Sequence, residues 1–169
     1  LGGIVVAGSA RAGGDKLNEA IATYVRRIHN LVIGERMAEE VKIKIGSAVQ
    51  TTPKKSLEVK GRDAISGMPK TTIVDSIEVT EAIMPVLGII IGAIKGVLEQ
   101  TPPELSSDII DRGIVLSGGT SLLRNLDRYI SGQIGVNAHV AEDPMQCVVY
   151  GTGIALENID NWRKIVQRR

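Results

Sequence analysis

The chain has 169 residues, of which 43% are apolar, enough for a real hydrophobic core in one large domain or two small ones. Aromatic residues make up only 2% and the formal net charge is +1, which argues against a single-stranded nucleic-acid-binding protein, because such a protein needs stacking platforms and a basic surface. The single cysteine excludes a disulfide framework and fits a reducing compartment.

The first predicted elements are a short strand and a helix. Gly3–Ala7 is predicted to form the strand, Gly13-Gly14 follows it, and Asp15 is a plausible N-cap. The helix is predicted to extend to about His29. Its one buried face comprises Leu17, Ala20, Ile21, Tyr24, Val25 and Ile28.

A second helix is predicted from Arg36 to Gly46. Its buried stripe has the spacing i, i+4, i+8 and comprises Met37, Val41 and Ile45. A polar stretch that contains Pro53 separates this helix from two predicted strands, Leu57–Lys60 and Thr71–Val74.

A long apolar helix follows, with Thr80 as its predicted N-cap and an end near Gln100, before a pair of prolines. Pro85 is expected to disturb its first turns. The segment Ala82–Leu98 resembles a membrane span, but it is only about 17 residues long, the lower limit for spanning. It also carries one lysine and three glycines, so a buried helix is the favoured interpretation.

The most distinctive local pattern is the apolar strand Ile114–Leu116, which ends in Ser117-Gly118-Gly119-Thr120. A helix is predicted directly after it, with Leu122, Leu123, Leu126 and Ile130 at helical spacing. Glycines at this place let another group approach the backbone, and the helix N-terminus offers free N–H groups. Nucleotide sites in α/β proteins lie at such strand ends, although a strand-to-helix turn can also need glycine for its geometry alone.

The last predicted elements are a strand at Asn137–Val140 and a helix that begins at Asp143-Pro144 and ends near Asn158. Gln146 has a capping-box-like spacing from Asp143. Cys147 is interpreted as a buried structural thiol, and the two histidines have no metal-ligand spacing around them, so no metal ligand is predicted. The basic cluster at 163–169 is interpreted as a solvated helix end.

The alternation of strands and helices at both ends of the chain encloses a central block. We interpret residues 33–103 as an inserted α+β subdomain. The outer segments, 1–32 and 104–169, would then form one sheet-and-helix layer together. The predicted fold class is α/β.

Charged residues of the second helix form a candidate binding face. Glu39, Lys42 and Gly46 have the spacing i, i+3, i+7 and lie away from the apolar stripe. Glu39 offers acceptors for ribose hydroxyls, and Lys42 offers a cationic donor to an adenosine or phosphate oxygen. An ordinary Glu–Lys surface pair has the same spacing, so this pattern alone leaves both interpretations open.

Short segments distributed over nearly the whole chain carry a more specific pattern. They are Arg11–Asp15, Ile33–Lys42, Ile45–Ser47, Val59–Asp63, Gly67–Pro69, Gln100–Leu105, Asp111–Gly113 and Ala141–Pro144. In this order they closely resemble the MreB family of bacterial actin homologues. The resemblance implies an actin-like ATPase fold, in which two lobes hold an adenine nucleotide and a magnesium ion, and this chain looks like most of the second lobe.

The resemblance also implies which residues bind ATP or ADP. They are Gly13, Gly14 and Asp15 at the first helix, Glu39, Glu40, Val41, Lys42 and Gly46 in the inserted subdomain, Gly118, Gly119, Thr120 and Ser121 after the strand, and Asp143 at the far wall. The family usually has a third glycine in place of Thr120. The bulk of this side chain beside the base is expected either to alter the affinity or to weaken binding.

The family's phosphate loop and first lobe have no counterpart in this chain, and Leu1 is not an initiator methionine. The sequence is therefore expected to be processed or to be a piece of a longer protein. The intact parent is predicted to hydrolyse ATP with Mg²⁺, and this piece alone is predicted to be inactive. Without the first strands of the outer sheet, an unpaired edge beside Gly3–Ala7 would favour aggregation or strand swapping.

The function implied for the parent is that of a cytoskeletal ATPase. It would form filaments in the cytoplasm under the inner membrane, organise cell-wall synthesis and maintain rod shape, with residues 33–103 supplying a filament contact face. Its expected partners are further copies of itself, cell-wall synthesis proteins and membrane-anchoring proteins, with no nucleic acid and no direct membrane span. A sugar kinase or chaperone-type ATPase on the same fold, and a non-hydrolysing scaffold, are the alternatives.

Overall fold

The computed structural model describes residues 3–159. In chain order the elements are α1 (Gly14–His29), β1 (Leu31–Val32), α2 (Glu35–Ile45), β2 (Ser56–Asp63), β3 (Pro69–Asp75), α3 (Ser76–Glu99), α4 (Pro103–Arg112), β4 (Ile114–Leu116), a 3₁₀ turn (Gly119–Leu122), α5 (Leu126–Ile134), β5 (Ala138–Val140) and α6 (Cys147–Glu157). The basic cluster predicted at 163–169 lies outside the described residues.

The strands form two separate sheets. One is antiparallel, in the order β1-β2-β3, with Leu31 opposite Asp63 and Val59 opposite Thr72. The other is the parallel pair β4-β5, with Ile114 opposite Ala138. Strands β2 and β3 lie inside the central block, whereas β1 and the parallel pair lie outside it, and the mixture of helices and strands agrees with the predicted α/β class. The subdomain boundaries at 33 and 103 stay a prediction.

The core is built around α1, which packs against α2 and α3. Leu17 and Ile21 on α1 are fully buried, as are Val41 on α2 and Ile83 and Leu87 on α3. These positions repeat at three or four residues on each helix, so each helix turns one apolar stripe inward. The predicted stripes of the first two helices are confirmed in part: Leu17, Ile21, Val25, Val41 and Ile45 are buried, Ala20, Tyr24 and Met37 are partly buried against the core, and Ile28 is half exposed.

Residues 3–10 form no strand, so the strand predicted at Gly3–Ala7 is wrong for this structure. A strand exists only where its backbone groups pair with a neighbour, and within residues 3–159 no strand is hydrogen-bonded to this segment. Ile4 and Val5 are 71% and 52% exposed. On β4, Val115 is also exposed, and within the described part of the chain β5 is the only strand that pairs with β4.

The long helix α3 begins at Ser76 rather than after Thr80. Asp75 is the N-cap, and its carboxylate accepts hydrogen bonds from the backbone N–H groups of Ile77 and Glu78 at 3.0 and 3.1 Å. The side chain of Glu78 accepts from the backbone N–H of Asp75 at 2.8 Å, which completes a capping box. Thr80 is instead buried, and its hydroxyl donates to the carbonyl of Ser76.

Pro85 lies inside α3, which continues through it without interruption. Helix α3 is long and apolar enough to span a membrane, and among residues 3–159 it is the only helix that meets these two criteria. Eight of its residues are buried against the rest of the protein, which supports the predicted core helix.

Two segments near the C-terminal end differ from the predicted helices. After β4 the chain makes a 3₁₀ turn, and α5 starts only at Leu126, because Asn125 adopts a left-handed conformation with φ 58°. Helix α6 starts at Cys147 rather than at Asp143-Pro144, since residues after Pro144 form a turn in which Gln146 N–H donates to the Asp143 carbonyl. Cys147 is half-buried rather than buried.

Two elements and two side-chain contacts were not predicted. Strand β1 and helix α4 have too few apolar residues at regular spacing to stand out, and α4 buries none of its side chains. His29, the last residue of α1, contacts α3, because its Nε2 lies 2.8 Å from Oε1 of Glu78. On the same pair of helices, the Tyr24 hydroxyl donates to Glu81 at 2.9 Å, and burial, followed by this hydrogen bond, raises the pKa of Tyr24 to about 12.

The capping box of α3 gives a stability prediction. Asp75→Ala is expected to lower the free energy of unfolding by about 1 kcal/mol, measured by urea denaturation, because two N–H groups lose their acceptor. Asp75→Asn keeps the acceptor and is the matched control, with a much smaller loss expected.

The same residue predicts a dependence on pH. The hydrogen bond from Lys54, followed by that from the backbone of Glu78, holds the pKa of Asp75 below its ordinary value of 3.8. A depressed pKa stabilises the folded state above pH 3.8, and this contribution is lost as the pH falls through the folded-state value. The difference between wild type and Asp75→Ala should therefore shrink in acid. An undiminished difference there would contradict the assignment.

Candidate functional site

A cavity of about 420 Å³ lies where the N-terminal end of α1, one face of α2 and the segment after β4 meet. Its lining residues are Gly14, Asp15, Leu17, Glu39, Lys42, Ile43, Gly119, Thr120, Leu122, Leu123, Arg124 and Met145. The cavity is large enough for a small organic ligand and combines apolar walls with a few charged groups.

Helix α1 turns its N-terminal end toward the cavity. Its N-cap is Gly13, which is extended (φ −167°) and has no side chain to cap the first turn. In the first hydrogen bond of the helix, the N–H of Leu17 donates to the carbonyl of Gly13. The N–H groups of the three residues between them therefore have no partner within the helix. Free N–H groups and the positive end of the helix dipole together favour an anionic ligand group.

Helix α2 places Glu39 and Lys42 at the cavity because its apolar stripe faces the other way. Ala38, Val41 and Ile45 are buried, which leaves Glu39 exposed and Lys42 half-buried on the opposite side. The Lys42 ammonium donates to the carbonyl of Gly14 at 3.3 Å. This bond joins α2 to the start of α1 across the cavity.

The segment after β4 forms the third wall. Gly118 has φ 84°, a conformation that favours glycine, and its N–H donates to the carbonyl of Pro144 at 2.7 Å. A methyl group on Gly119 would lie 3.1 Å from Sδ of Met145. A methyl group on Gly14 would lie 3.4 Å from Nζ of Lys42 and 3.7 Å from Oγ1 of Thr120. A side chain at Gly14 would therefore make ordinary contacts, whereas one at Gly119 would require the Met145 side chain to move.

Six of the residues predicted to bind a nucleotide line this cavity: Gly14, Asp15, Glu39, Lys42, Gly119 and Thr120. They come from three segments that are far apart in the sequence. Their convergence is a geometric finding, and their role in binding stays a prediction.

The other predicted residues do not line the cavity, and most have a structural role. Val41 is fully buried in the core, and Gly46 ends α2 with its N–H on the carbonyls of Val41 and Lys42. Ser121 is buried and donates to the carbonyl of Gly118 at 2.7 Å. Glu40 accepts from Lys44, and this hydrogen bond lowers the pKa of Glu40.

The last three predicted residues lie near the cavity without lining it, and one of them, Gly118, directly precedes the lining residue Gly119. Gly13 precedes the lining residue Gly14 as the N-cap of α1. Asp143 is exposed and accepts from the N–H of Gln146 through its backbone carbonyl.

Sequence analysis missed six lining residues: Leu17, Ile43, Leu122, Leu123, Arg124 and Met145. Ile43, Leu122 and Met145 are 69%, 58% and 65% exposed, so they are apolar side chains without a full complement of neighbours. A signal was available for Ile43, because it lies off the buried stripe of α2 beside Lys42. Leu122 was assigned to a helical face that the 3₁₀ turn does not form.

Charge at the cavity is balanced between two carboxylates, Asp15 and Glu39, and two cations, Lys42 and Arg124. Within residues 3–159, no group of three or more His, Cys, Asp or Glu side chains is placed to hold a metal ion. The predicted absence of metal ligands concerns the whole chain and stays a prediction. The cavity is thus suited to a ligand with an apolar body, hydroxyl groups and a nearby anionic group.

Comparison with known proteins identifies relatives over nearly the whole chain. The family model described as MreB/Mbl protein matches residues 1–164. The cell shape-determining protein Mbl of Bacillus cereus is 46% identical over 164 residues, which cover 97% of this chain and 49% of that protein. The cell shape-determining protein MreB of Escherichia coli is 48% identical over 160 residues, which cover 95% of this chain and 46% of that protein.

Comparison with solved structures also identifies MreB proteins as relatives. MreB5 of Spiroplasma citri bound to AMPPNP matches with a TM-score of 0.88 and 35% identity, over 95% of this chain and 48% of that one. The same protein bound to ADP matches with a TM-score of 0.89. The MamK double helical filament, at 23% identity, 78% coverage of this chain, 40% coverage of that one and a TM-score of 0.66, shows the shared fold alone.

The chain spans about half the length of the curated relatives it matches. Its α/β fold matches that of the actin-like MreB structures over that half. The family match over residues 1–164 and the identities of 46% and 48% show that the chain belongs to the MreB/Mbl family of cell shape-determining proteins.

Proposed function

We propose that this chain supplies the adenosine-binding half of the nucleotide cleft in an ATP-dependent, filament-forming, cell shape-determining protein. The observation that carries the proposal is the convergence of Glu39 and Lys42, the start of α1 and the glycine segment after β4 on one cavity. The nucleotide complexes of Spiroplasma citri MreB5 support an adenine nucleotide as the ligand.

The chemistry of the cavity fits adenosine. The Glu39 carboxylate is able to accept hydrogen bonds from ribose hydroxyls, and the Lys42 ammonium is able to donate to a ring or sugar oxygen or nitrogen. Exposed apolar side chains of Ile43, Leu122 and Met145 provide walls for a planar base. The free N–H groups at the start of α1 favour phosphate oxygens.

Hydrolysis is proposed for the whole protein and not for this half alone. ATP bound with Mg²⁺ supplies the transferable phosphoryl group, and its transfer depends on positioning and on charge stabilisation by several groups. The cavity contains two separate carboxylates, Asp15 and Glu39, and no metal-binding cluster among residues 3–159. The residues at hand bind and orient the nucleotide, and the metal and the attacking water are assigned to the other lobe.

Self-association into filaments is proposed from two complementary surfaces. On β2, Lys60 and Arg62 are exposed on the outer face of the hairpin, although Lys60 also lies 3.4 Å from Glu58. Helix α4 has no fully buried residue, and its exposed side chains Glu104, Asp108 and Asp111 lie on one face at the spacing i, i+4, i+7. The basic hairpin and the acidic helix are able to attract one another across two copies of the chain.

The positions of these surfaces favour an open assembly. The β2–β3 hairpin leads directly into the first residue of α3, and α4 follows shortly after the last residue of α3. Helix α3 has 24 residues and is about 36 Å long, so it separates the two surfaces. Surfaces at opposite ends of a molecule cannot meet within one copy, and a head-to-tail contact between copies builds a filament unless it closes into a ring. The double helical filament of MamK, which shares this fold, supports assembly into a filament.

The cellular role proposed for the whole protein follows from its cell shape-determining relatives. Filaments in the cytoplasm, under the inner membrane, would organise cell-wall synthesis together with wall-synthesis and membrane-anchoring proteins. A non-hydrolysing scaffold is the second candidate, since the side chain of Thr120 stands opposite Gly14 in the narrow part of the cavity.

Nucleotide binding is tested by calorimetric titration of the whole protein with Mg–ADP. Lys42→Met is expected to weaken binding by about tenfold or more, because it removes a charged donor, and Glu39→Gln by roughly threefold to tenfold, because it replaces a charged acceptor by a weaker neutral one. Glu40→Gln and Lys44→Met are matched controls on the same helix that do not line the cavity. No binding by the wild-type protein, or equal losses in the controls, would favour the scaffold.

Filament formation is tested by nucleotide-dependent pelleting of two charge-reversed proteins. Lys60→Glu with Arg62→Glu, and separately Asp108→Lys with Asp111→Lys, should each pellet less than the wild type. An equimolar mixture of the two proteins should regain pelleting, because each reversed surface then meets a complementary one. Full pelleting of both single proteins, or a mixture that stays soluble, would show that these surfaces do not touch.

A further inference from the structure

The cavity is bordered by a polar seam, defined here as residues 44–48 after α2 together with Arg124 and Asn125 before α5. Nε of Arg124 donates to the carbonyl of Gly46 at 2.9 Å, and its Nη2 donates to the carbonyl of Lys44 at 3.1 Å. The N–H of Ala48 donates to the carbonyl of Arg124 at 2.8 Å. Nδ2 of Asn125 donates to Oγ of Ser47 at 3.0 Å.

The seam is fixed on both sides. The hydroxyl of Thr80, fully buried on α3, lies 2.9 Å from the carbonyl oxygens of both Ser47 and Ser76, so its single proton is shared between the seam and α3 itself. On the other side, Asn125 holds its left-handed conformation directly before α5. Asparagine tolerates this conformation well, and its side chain is thereby directed to Ser47 rather than to the helix that follows.

Arginine suits this position for two physical reasons. Its planar guanidinium presents several N–H groups in a fixed fork, so one side chain is able to donate to two carbonyls at once. Its positive charge also lies at the C-terminal end of α2, where the last carbonyls have no partner within the helix and the helix dipole favours a cation. A lysine supplies the charge but not the fork.

The seam connects the two sides of the proposed binding site. Arg124 follows the 3₁₀ turn that carries Gly119 and Thr120, and it is bound to the end of the helix that carries Glu39 and Lys42. We propose that Arg124 is a positioning residue, which sets the separation of these two walls and so pre-organises the cleft for adenosine. This inference rests on the proposed nucleotide binding, and it assigns Arg124 a role through α2 rather than through contact with the ligand.

The test is Mg–ADP affinity of the whole protein and of two variants. Arg124→Met should weaken binding roughly fivefold to fiftyfold, the usual range for coupling between sites, because a loosened cleft must be ordered again on binding. Arg124→Lys should behave nearly like Arg124→Met, since the fork is lost. Full affinity in Arg124→Lys would show that charge alone matters and would overturn the proposal. Arg128→Met, an exposed arginine outside the seam, is the control.

A double-mutant cycle separates positioning from a general loss of structure. If Arg124 acts by placing Glu39 and Lys42, then Arg124→Met should change the affinity less than about twofold in a protein that already carries Glu39→Gln and Lys42→Met. An unchanged effect of Arg124→Met in that background would contradict the proposal. Binding too weak to measure in that background is avoided by titrating with protein concentrations above the dissociation constant.

A third variant keeps the proposal testable if Arg124→Met does not fold. Asn125→Gly removes the bond to Ser47 and accepts the left-handed backbone, so it should fold and weaken Mg–ADP binding in the same direction. Unchanged Mg–ADP affinity in Asn125→Gly would reject the role of the seam, as full affinity in Arg124→Lys would. Failure of the wild-type protein to bind Mg–ADP is a different result, which rejects the proposed function itself.

Discussion

Burial of the apolar face of α1 between α2 and α3 is the constraint on which the candidate site depends. Leu17, Ile21 and Val25 are essentially inaccessible to solvent and form the centre of the core. Because these residues fix the rotation of α1 about its axis, the first turn of the helix must point at the cavity. The same requirement on α2 turns Val41 inward and leaves Glu39 and Lys42 outward. Hydrophobic packing thus decides where the polar groups of the site lie.

Polar contacts then determine the distances between α1, α2 and the segment after β4, which apolar packing alone does not fix. The Lys42 bond to the carbonyl of Gly14 and the two Arg124 bonds to the end of α2 cross between elements that are distant in the chain. Hydrogen bonds of this kind are directional, so they select one arrangement among several that would bury similar apolar area. A cavity built in this way is largely pre-formed, which lowers the ordering cost of ligand binding.

Much of the fold followed from the sequence, because helical periodicity and glycine or proline punctuation are local signals. The bounds of α1, the stripe of α2, the β2–β3 pair and the Ile114–Leu116 strand all rest on such signals. The misplaced starts of α3 and α6 and the missing strand at 3–7 have another cause. Capping by Asp75, the turn after Pro144 and the need of a strand for a partner depend on tertiary context.

The glycines and most polar residues of the site could be predicted from the sequence, whereas Arg124 and the apolar lining residues could not. The glycines, Glu39 and Lys42 follow family motifs, whereas Arg124 and Met145 reach the cavity only through contacts that no local pattern contains.

The most direct test of the account is a structure of the whole protein determined with Mg–ADP. The account predicts adenosine between Glu39 and Lys42 on one side and Gly119 on the other. Nucleotide bound elsewhere, with this cavity filled only by solvent, would contradict it.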